Sequence, residues 1–381
     1  MNDAGISTAE LRESIREVLE AESPLTLVRL DREAARQPLG ALWQKMAELG
    51  WFGLGIAEAH GGLGLGYRHL ALLYEELGRF LTPLPVMGTL LMADAIARAG
   101  SEAQQRCWLA PIAAGEVRAS LALPTGAVDL PRLDHDRTVG GAVCDILNGD
   151  AVDELLVPVQ NDAGRVYLAL FHPGTPGIEV TPRRLIDLTR TMADVRLQGA
   201  RVDAERLLPL DAATWTALLD HACLAIAGDA VGGTARILSD TVAYLGERRQ
   251  FDRPIGSFQA LKHRAATWKI ESEGITALTR HCAELLSDRE TGRSGLVSAA
   301  KARATESYLA VAGDAVQLHG GIGFTWEHEC HLFLKRAALD AALFGTVVQH
   351  KDRAAYLSFG DSLGPPRTPP SHESLRRFFN A

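Results

Sequence analysis

The segment GERRQFDRPIGSFQALKHRAA, residues 246–266, ends one long helical pattern and starts another. Upstream of it, apolar residues recur at intervals of three or four over residues 224–245, which is the spacing of an amphipathic helix. Downstream, the helical pattern resumes at residues 258–259 after a turn that contains proline and glycine. A simple connection between two helices does not need two adjacent arginines and an aromatic turn. The segment therefore predicts a ligand-binding corner of a helical bundle.

The polar residues of this first corner suit an anionic ligand. Arg248, Gln250 and Gln259 place a guanidinium and two amides close to the start of a helix. Forked donors and the positive end of a helix dipole are what a bound pyrophosphate prefers. Phe251 can pack on an aromatic heterocycle. The alternative interpretation is a bundle corner with solvent-exposed arginines and no ligand.

A second corner, QLHGGIGFTWE at residues 317–327, follows the next long helix. Gln317 lies four residues before Gly321. The adjacent glycines Gly320 and Gly321 lack the Cβ atoms that would obstruct a close approach to the backbone. Long helices joined in this way favour a four-helix bundle over residues 209–356, in which both corners can meet at one ligand.

The rest of the chain divides by its residue patterns. Residues 1–118 read as helices, beginning with a capping box of Ser7 and Glu10. Residues 119–208 contain short stretches typical of strands, separated by Gly, Pro, Asn and Asp. The fold class we predict is mainly α-helical, with a small antiparallel β-domain or barrel inserted between helical regions. Residues 357–381 form a Pro-rich tail, which we expect to lie on a partner or to be loosely ordered.

The composition excludes several classes of protein. The 381 residues are 47% hydrophobic and have a formal net charge of −8, which supports a buried core in one large or two to three smaller domains. Basic residues are interspersed with acidic ones, so neither nucleic acid nor a membrane surface is expected as a partner. We find neither a membrane-spanning apolar run nor a secretory signal, and we expect a cytoplasmic protein.

Cysteine and histidine give no sign of a disulfide framework or a metal site. The five cysteines are scattered, which favours free thiols in a reducing compartment. The run HECH at residues 328–331 has no second ligand cluster at a suitable spacing. We therefore expect no metal, and a surface or subunit-contact role for this run.

RRQFDRPIGSFQALKH and QLHGGIGFTWE resemble the two C-terminal signatures of the acyl-CoA dehydrogenase family. AELGWFGLGIAEAHGGLGLGYRHLALLYEELGRF resembles the N-terminal helix–loop–helix of the same family, and the likeness extends over about residues 5–356. The resemblance implies a helical N-terminal domain (1–118), a middle β-barrel (119–208) and a C-terminal four-helix bundle (209–356). It also implies a dimer of dimers, bound FAD, and oxidation of an acyl-CoA thioester to the 2,3-enoyl product, with an electron-transfer flavoprotein or similar acceptor.

The resemblance assigns roles to the residues of both corners. Arg248, Gln250, Phe251 and Gln259 match positions that in the family reach across to the FAD of the neighbouring subunit. In the second corner, the family motif contacts the adenosine-pyrophosphate portion of FAD, and its matching residues here are Gln317, Gly320 and Gly321. The interruption at residues 246–266 is thus expected to be half of a flavin site that another chain completes.

The chain departs from the family where the chemistry occurs. The family usually places a catalytic Glu before Gly-Thr, but here the stretch is AALFGTVVQH, with Phe344 at that position. Phe cannot accept a proton. The family's alternative base position falls on Ala222. Asp220 matches a substrate-binding aspartate, although a helix cap is the other interpretation, and Cys223 replaces an expected arginine. We assign no catalytic residue.

The β-region departs as well. LALPTGAVDLP and CDILNGDAVDELLVPVQ lack most of the hydroxyl and indole groups that surround the isoalloxazine ring in active relatives. DLTRTMADVRL, residues 187–197, resembles dehydrogenases of sterol side chains and other bulky acyl-CoAs. In that group an active subunit pairs with a shorter partner that lacks the base, and RAALDAALFGT resembles the partner.

Three hypotheses follow from these matches and departures. We predict a base-lacking subunit of a heteromeric acyl-CoA dehydrogenase. One alternative is an autonomous homo-oligomeric enzyme that uses Asp220 or another carboxylate as its base. The other is a non-catalytic protein that binds flavin or a CoA thioester.

Overall fold

The computed structural model describes residues 7–30, 32–124, 129–288 and 293–360. The elements follow a helical, β and helical order, which confirms the predicted fold class. The N-terminal helices are α1 (Thr8–Glu22), α2 (Arg32–Glu48), α3 (Tyr67–Arg79), α4 (Val86–Ala99) and α5 (Glu102–Ala113). The middle strands are β1 (Ala119–Leu121), β2 (Arg132–Leu133), β3 (Thr138–Leu147), β4 (Glu154–Asn161), β5 (Val166–Phe171), β6 (Ile178–Arg183), β7 (Met192–Arg201) and β8 (Leu207–Pro209). The C-terminal elements are α6 (Ala212–Glu247), β9 (Arg249–Gln250), β10 (Arg253–Pro254), α7 (Gln259–Ser287), α8 (Arg293–His319), α9 (Cys330–Ala342) and α10 (Val347–Phe359).

Two stretches discussed above fall partly outside these ranges. Residues 361–381, most of the predicted Pro-rich tail, lie outside the described residues. So do residues 125–128, which belong to the stretch LALPTGAVDLP.

The capping box predicted at the start of α1 is confirmed. Ser7 Oγ accepts a hydrogen bond from the Glu10 backbone N–H at 3.1 Å, and the Glu10 carboxylate accepts one from the Ser7 backbone N–H at 3.3 Å. A box of this kind satisfies two N–H groups that a helix start would otherwise leave free. The helix then buries Ile15 and Leu19 in the N-terminal core.

The middle region forms one eight-stranded sheet in the order β6-β7-β3-β2-β4-β5-β8, with β1 paired to β4. The expectation of a purely antiparallel domain is corrected, because β4 pairs in parallel with both β1 and β2. Parallel partners require a longer connection than a hairpin, and here β3 lies between β2 and β4 in the chain. Along β4, Leu155 and Val157 enter the core of the β-domain while Leu156 faces the core shared with the helices. The sheet is therefore buried on both faces at this strand.

Helix α6 is the central helix of the fold and is 36 residues long, about 54 Å at 1.5 Å per residue. It passes close to α3 through glycines on both helices. A Cβ atom on Gly232 would lie 1.7 Å from the carbonyl oxygen of Glu75, and one on Gly78 would lie 2.2 Å from that of Asp229. On its other side α6 packs against α7 and α8, and α8 in turn contacts α9 and α10.

The apolar part of α6 is long and apolar enough, by length and composition alone, to cross a bilayer. However, 83% of that stretch is buried inside the protein. A buried core helix passes the same test, so a single helix of this kind is weak evidence for a membrane span.

A buried ionic network, which we call the interdomain clamp, joins the β-domain to the C-terminal helices. It consists of Asp187 and Arg190 before β7, Asp229 on α6, and Arg336 and Asp340 on α9. Arg336 contacts the Asp229 carboxylate at 2.9 Å and the Asp187 carboxylate at 3.3 Å. Arg190 contacts Asp229 at 3.0 Å and also pairs with Asp340. All five side chains are buried.

The two carboxylates at the centre of the clamp differ in their proton affinity. Burial disfavours the charged form of both, but Arg190 and Arg336 together lower the pKa of Asp229. Burial raises the pKa of Asp340 well above its usual range, and the negative charge of Asp229 acts in the same direction. The clamp thus holds two guanidinium groups against an ionised Asp229, with Asp340 favouring its neutral form beside them.

Candidate functional site

The two corners identified in the sequence lie side by side at one end of the C-terminal helices. Tyr244, near the end of α6, stacks on His319 at the end of α8, with ring centroids 4.3 Å apart. The Tyr244 hydroxyl also donates to the His319 carbonyl at 3.4 Å. Between the adjoining helices, Arg264 contacts Asp314 at 2.9 Å. The structure therefore brings the first corner and the second corner together.

The first corner is a β-hairpin with a two-residue turn rather than an irregular loop. Gln250 pairs with Arg253 across β9 and β10, which leaves Phe251 and Asp252 as the turn. Their φ angles are +52° and +59°. Two successive left-handed residues are the pattern of a type I′ turn, which non-glycine residues adopt at a cost. The Phe251 ring lies edge to face with the Phe258 ring, with centroids 6.1 Å apart, and is 85% exposed.

The donor groups of both corners point away from the chain. The side chains of Arg248, Gln259 and Gln317 are exposed and form no hydrogen bond within the described part of the chain. Gln250 bonds only to the neighbouring carbonyl of Arg249, at 2.9 Å. α7 also begins here, with no side-chain cap on its first N–H groups. A guanidinium, three amides and a free helix start fit a pyrophosphate supplied from outside the chain.

The paired glycines of the second corner leave space that the chain itself does not use. A Cβ atom added to Gly320 or to Gly321 would meet no atom within 4 Å. Gly320 has a φ of +65°, which explains glycine there, whereas the backbone of Gly321 has no positive φ. At Gly321 the backbone surface is open, so another molecule can approach it closely.

A cavity of about 490 Å³ lies between the β-domain and the end of α9. Most of its wall is aliphatic, and Phe344 closes one side. The lining residues are Leu121, Leu123, Pro124, Asp129, Leu130, Pro131, Ala142, Val143, Cys144, Asp145, Leu185, Met192, Leu339, Ala342, Leu343 and Phe344. No hydroxyl, amide or indole side chain is among these described residues. An isoalloxazine ring needs hydrogen-bond donors at its polar edge, so the side chains of this cavity do not fit that ring.

Two buried basic side chains hold the turn that carries Phe344. Lys301 on α8 donates to the carbonyls of Ala341, at 3.3 Å, and Gly345. His350 Nε2 donates to the Phe344 carbonyl at 2.9 Å. Burial lowers the pKa of Lys301 to about 8. Burial, reinforced by the Lys301 charge, lowers the pKa of His350 to about 3. The turn is thus held by a neutral imidazole and an ammonium.

His350 also lies 3.8 Å from Cys223 Sγ. A cysteine–histidine pair can be a nucleophile when the thiol ionises. Here burial raises the pKa of Cys223 to about 12, so the thiol stays protonated. The pair is therefore part of the packing under the turn.

Acid is expected to destabilise the protein through His350. Its folded pKa of about 3 is below the ordinary value of 6.5, so between these values the unfolded chain binds a proton that the folded chain excludes. Stability then falls as pH falls, by up to about 1.4 kcal/mol per pH unit. Urea unfolding between about pH 4.5 and pH 6, below the ordinary pKa and above the folded one, measures this slope. In His350→Gln the amide can still donate to Phe344, and the slope should decrease by about that amount. His281→Gln, at an exposed histidine on α7, is the control, and an equal decrease there would contradict the assignment.

Asp220 is occupied within the chain. Its carboxylate contacts Arg353 of α10 at 2.9 Å and accepts a hydrogen bond from Ser294 of α8. It is 1% exposed and lines none of the described cavities. The helix cap considered for Asp220 is supplied instead by Asp211, because α6 begins at Ala212, eight residues before Asp220. The predicted substrate contact therefore has no support from these distances.

Ala222 and the HECH run are also placed by the structure. Ala222, the alternative base position, is completely buried in the N-terminal core. Cys330 and His331 are buried too, which corrects the expected surface position of HECH. Across the described ranges, no group of three or more His, Cys, Asp or Glu side chains is arranged to hold a metal ion. All five cysteines are free thiols.

The residues that fix the site were not found from the sequence. Lys301 interrupts an apolar helical stripe in α8, and a charged residue in such a stripe is a signal that a buried partner exists. Arg353 and Arg336 give no comparable signal, since arginines at those positions are typical of an exposed helix face. Their carboxylate partners are more than one hundred residues away in the chain.

Two family models match the chain. The model described as "Acyl-CoA dehydrogenase, N-terminal domain" matches residues 7–116, and the model described as "Acyl-CoA dehydrogenase, C-terminal domain" matches residues 211–354. Among curated proteins, the chain is 32% identical to acyl-CoA dehydrogenase IpdE2 of Mycolicibacterium smegmatis over 341 residues, which cover 88% of this chain and 93% of the relative.

Two solved structures are similar over almost the whole chain. One is the ChsE4–ChsE5 complex from Mycobacterium tuberculosis, with a TM-score of 0.84 and 26% identity, covering 94% of this chain and 99% of that one. The other is the Tcur3481–Tcur3483 steroid ACAD, with a TM-score of 0.83 and 27% identity, covering 92% and 97% of the two chains. Both names refer to two different polypeptides.

Proposed function

The chain belongs to the acyl-CoA dehydrogenase family, and from that premise we propose that it is the base-lacking subunit of a heteromeric acyl-CoA dehydrogenase. Members of the family are flavoprotein oxidoreductases that act on CH–CH donors. In such a complex the partner chain supplies the catalytic base, and this chain supplies the cross-subunit half of the partner's flavin site. The observation that carries the proposal is Phe344 in the wall of the cavity, at the position of the family's carboxylate.

The missing base is not replaced by a neighbouring group in this chain. Removal of the acidic α-proton of a thioester requires a base within hydrogen-bonding reach of it. Ala222 is apolar, Asp220 is bonded to Arg353, and the cavity wall on the α9 side carries only Leu339, Ala342, Leu343 and Phe344. Asp129 and Asp145 line the same cavity from the β-domain, and Asp145 pairs with Arg183. Among the described lining residues, no replacement base comes from α6 or α9.

The flavin-contacting residues divide into those that are retained and those that are lost. The retained set faces outward at the two corners: Arg248, Gln250, Phe251, Gln259, Gln317, Gly320 and Gly321. When bound, FAD supplies the hydride acceptor of the family reaction. The residues of this chain would hold its pyrophosphate, whereas the described lining of its cavity has no side-chain donors for the ring. We therefore propose one FAD for each pair of unlike chains.

The Arg248→Ala variant is expected to bind FAD about ten- to a hundred-fold more weakly, when measured on the assembled complex. The loss corresponds to one charge-assisted contact to pyrophosphate, worth about 1.5–3 kcal/mol. Fluorescence titration of FAD into apo-complex measures it, and Gln317→Ala should act in the same direction. Arg249→Ala is the matched control, because the Arg249 side chain donates to the Asp252 carbonyl of its own turn at 2.9 Å. Equal FAD affinity of Arg248→Ala and Arg249→Ala in an intact oligomer would refute the assignment.

The names of the similar structures support an unlike partner and a bulky substrate. One is a complex of two named chains and another is called a steroid ACAD. We propose that the partner is a second acyl-CoA dehydrogenase-like chain with intact Glu-Gly-Thr and Thr-Glu-Pro-Gly stretches, encoded next to this one. The substrate would be the CoA thioester of a sterol-derived or similarly bulky acyl group, and an electron-transfer flavoprotein or similar protein would accept the electrons in the cytoplasm. Co-expression of the two chains and analytical ultracentrifugation test this: separate sedimentation of each chain would contradict it.

An autonomous homo-oligomeric enzyme is the second candidate function. It would need a base, and the buried ion pair of Asp220 with Arg353 counts against the residue named for that role. A non-catalytic protein that binds flavin or a CoA thioester is the third. It would be favoured if neither the isolated chain nor any complex oxidised an acyl-CoA.

A further inference from the structure

A cavity of about 380 Å³, which we call the arginine groove, lies between α1, α3, α6 and α7, away from both corners and from the Phe344 cavity. Its α6 wall is formed by small and aliphatic residues. The rest of the lining consists of Ser272, Thr276, and five basic and three acidic side chains, a surplus of two positive charges. The charged side chains are Arg12, Arg16, Arg79, Lys269 and Arg280, and Glu75, Glu76 and Glu273.

The three carboxylates are already bound by four of the cations. Glu75 accepts from Arg12 at 2.7 Å and from Arg280 at 3.1 Å. Glu76 accepts from Arg12 at 2.9 Å and from Arg16 at 2.8 Å. Both carboxylates are buried beneath the guanidinium groups, with 3% and 1% of their side chains exposed. Glu273 pairs with Lys269. The basic groups therefore form the accessible surface of the groove.

Arg79 is the cation without a counter-ion. In the described part of the chain it forms neither a hydrogen bond nor an ion pair, and its Nε atom is buried without a partner. The carboxylates whose charge it feels, Glu76 and Asp240, are bonded to Arg16 and Arg236 respectively. Burial, with help from the Arg16 charge, lowers the pKa of Arg79. A partly buried guanidinium in this situation lacks the partner that would repay its desolvation.

We propose that the arginine groove binds an oxyanion of the phosphate class. Arg79 offers two Nη groups, and Arg16 and Arg280 each retain an Nη1, all unbonded within the described residues. All three arginines line the same groove, and forked guanidinium N–H donors are well suited to bind phosphate oxygens. The cavity is large enough for a phosphate group with a substituent. Because Arg16, Arg79 and Arg280 lie on α1, α3 and α7, one bound anion would contact all three helices.

Calorimetric titration of the purified full-length protein with inorganic phosphate and with pyrophosphate, at constant ionic strength in chloride, tests the site. Saturable binding to the wild type is expected. The affinity of Arg79→Gln should be at least about tenfold lower, because the substitution removes the charged N–H donors of one guanidinium. Lys269→Gln, on the exposed face of α7, is a second variant that does not depend on how Arg79→Gln folds, and it should also bind more weakly. Arg132→Gln is the control, because Arg132 lies on β2 and pairs with Asp134 at 3.0 Å.

The outcomes are distinct and do not depend on the enzymatic activity. No saturable binding to the wild type, or equal binding by the wild type and both groove variants, would overturn the proposal. Weaker binding confined to the groove variants would support it. A parallel titration with adenosine 3′,5′-bisphosphate identifies the source of the phosphate. Tighter binding than inorganic phosphate that is lost in Arg79→Gln would assign a nucleotide phosphate, whereas binding of inorganic phosphate alone would assign the free ion.

Discussion

The purified chain alone is expected to oxidise acyl-CoA thioesters at least about a hundred-fold more slowly than its complex with a base-carrying partner. A general base contributes typically about 10²- to 10⁴-fold to a reaction of this kind. Both habitual positions of the base are apolar here, since Phe344 lines the cavity and Ala222 is buried in the core. The described side chains that line the cavity also include no donor that would hold the flavin ring at the distance that hydride transfer requires.

The measurement is an anaerobic mixture of the homogeneous chain, saturated with FAD, and a panel of short, long and steroid-derived acyl-CoAs. Bleaching of the flavin absorbance should be slow or undetectable with every substrate. Asp220→Asn is the decisive variant, although its loss of charge also weakens the contact with Arg353. Fast bleaching in the wild type that disappears in Asp220→Asn, with an unchanged circular dichroism spectrum, would establish an autonomous enzyme.

The Arg336→Ala variant is expected to lose about 3–5 kcal/mol of unfolding free energy. Arg336 is 1% exposed and its guanidinium contacts the carboxylates of Asp187 and Asp229. Its removal leaves buried negative charge that Arg190 alone must balance. Removing one partner of a buried ion pair is strongly destabilising because the other charge stays buried, even where the intact pair contributes little net stability. Urea unfolding of the wild type and the variant measures the difference.

Two further variants distinguish the loss of this buried network from the loss of a positive charge elsewhere in the protein. Arg183→Ala removes an exposed arginine that pairs with Asp145 and Asp194, and it should cost less than about 1 kcal/mol. Arg336→Lys keeps the positive charge but loses the forked N–H donors of the guanidinium, so its loss of unfolding free energy should be intermediate. If Arg336→Ala were no more destabilising than Arg183→Ala, the clamp would not be holding the domains together.

The helical parts of the fold could be predicted because their signals are local. Ser7 and Glu10 are three residues apart and form the box that begins α1. The start of α7 at Gln259 could likewise be read from the sequence, because the turn before it contains proline and glycine. These features depend on neighbours in the chain, which a sequence displays directly.

The pairing of the β-domain and the buried ion pairs could not be predicted in this way. β3 contains Gly140 and Gly141, which weaken the strand pattern, although β3 pairs with β7 along its length. The parallel neighbours of β4 depend on strands far apart in the chain. Asp220 was matched to a ligand contact because a sequence shows its residue type and not Arg353, which lies 133 residues later. Long-range partners require the tertiary structure.

The outward-facing corner has a thermodynamic consequence for the proposed complex. Binding free energies at two linked sites are reciprocal, so any factor by which the partner chain tightens FAD binding is also the factor by which FAD tightens the partner. Under the proposed function, Arg248 and the exposed Phe251 would contribute to both events, because they would belong to the surface that meets the neighbouring chain and to the cofactor site completed there. Under the proposed function, the amount of flavin in the cell would thus determine how much of this chain is assembled, and dilution of the protein would release cofactor and partner together.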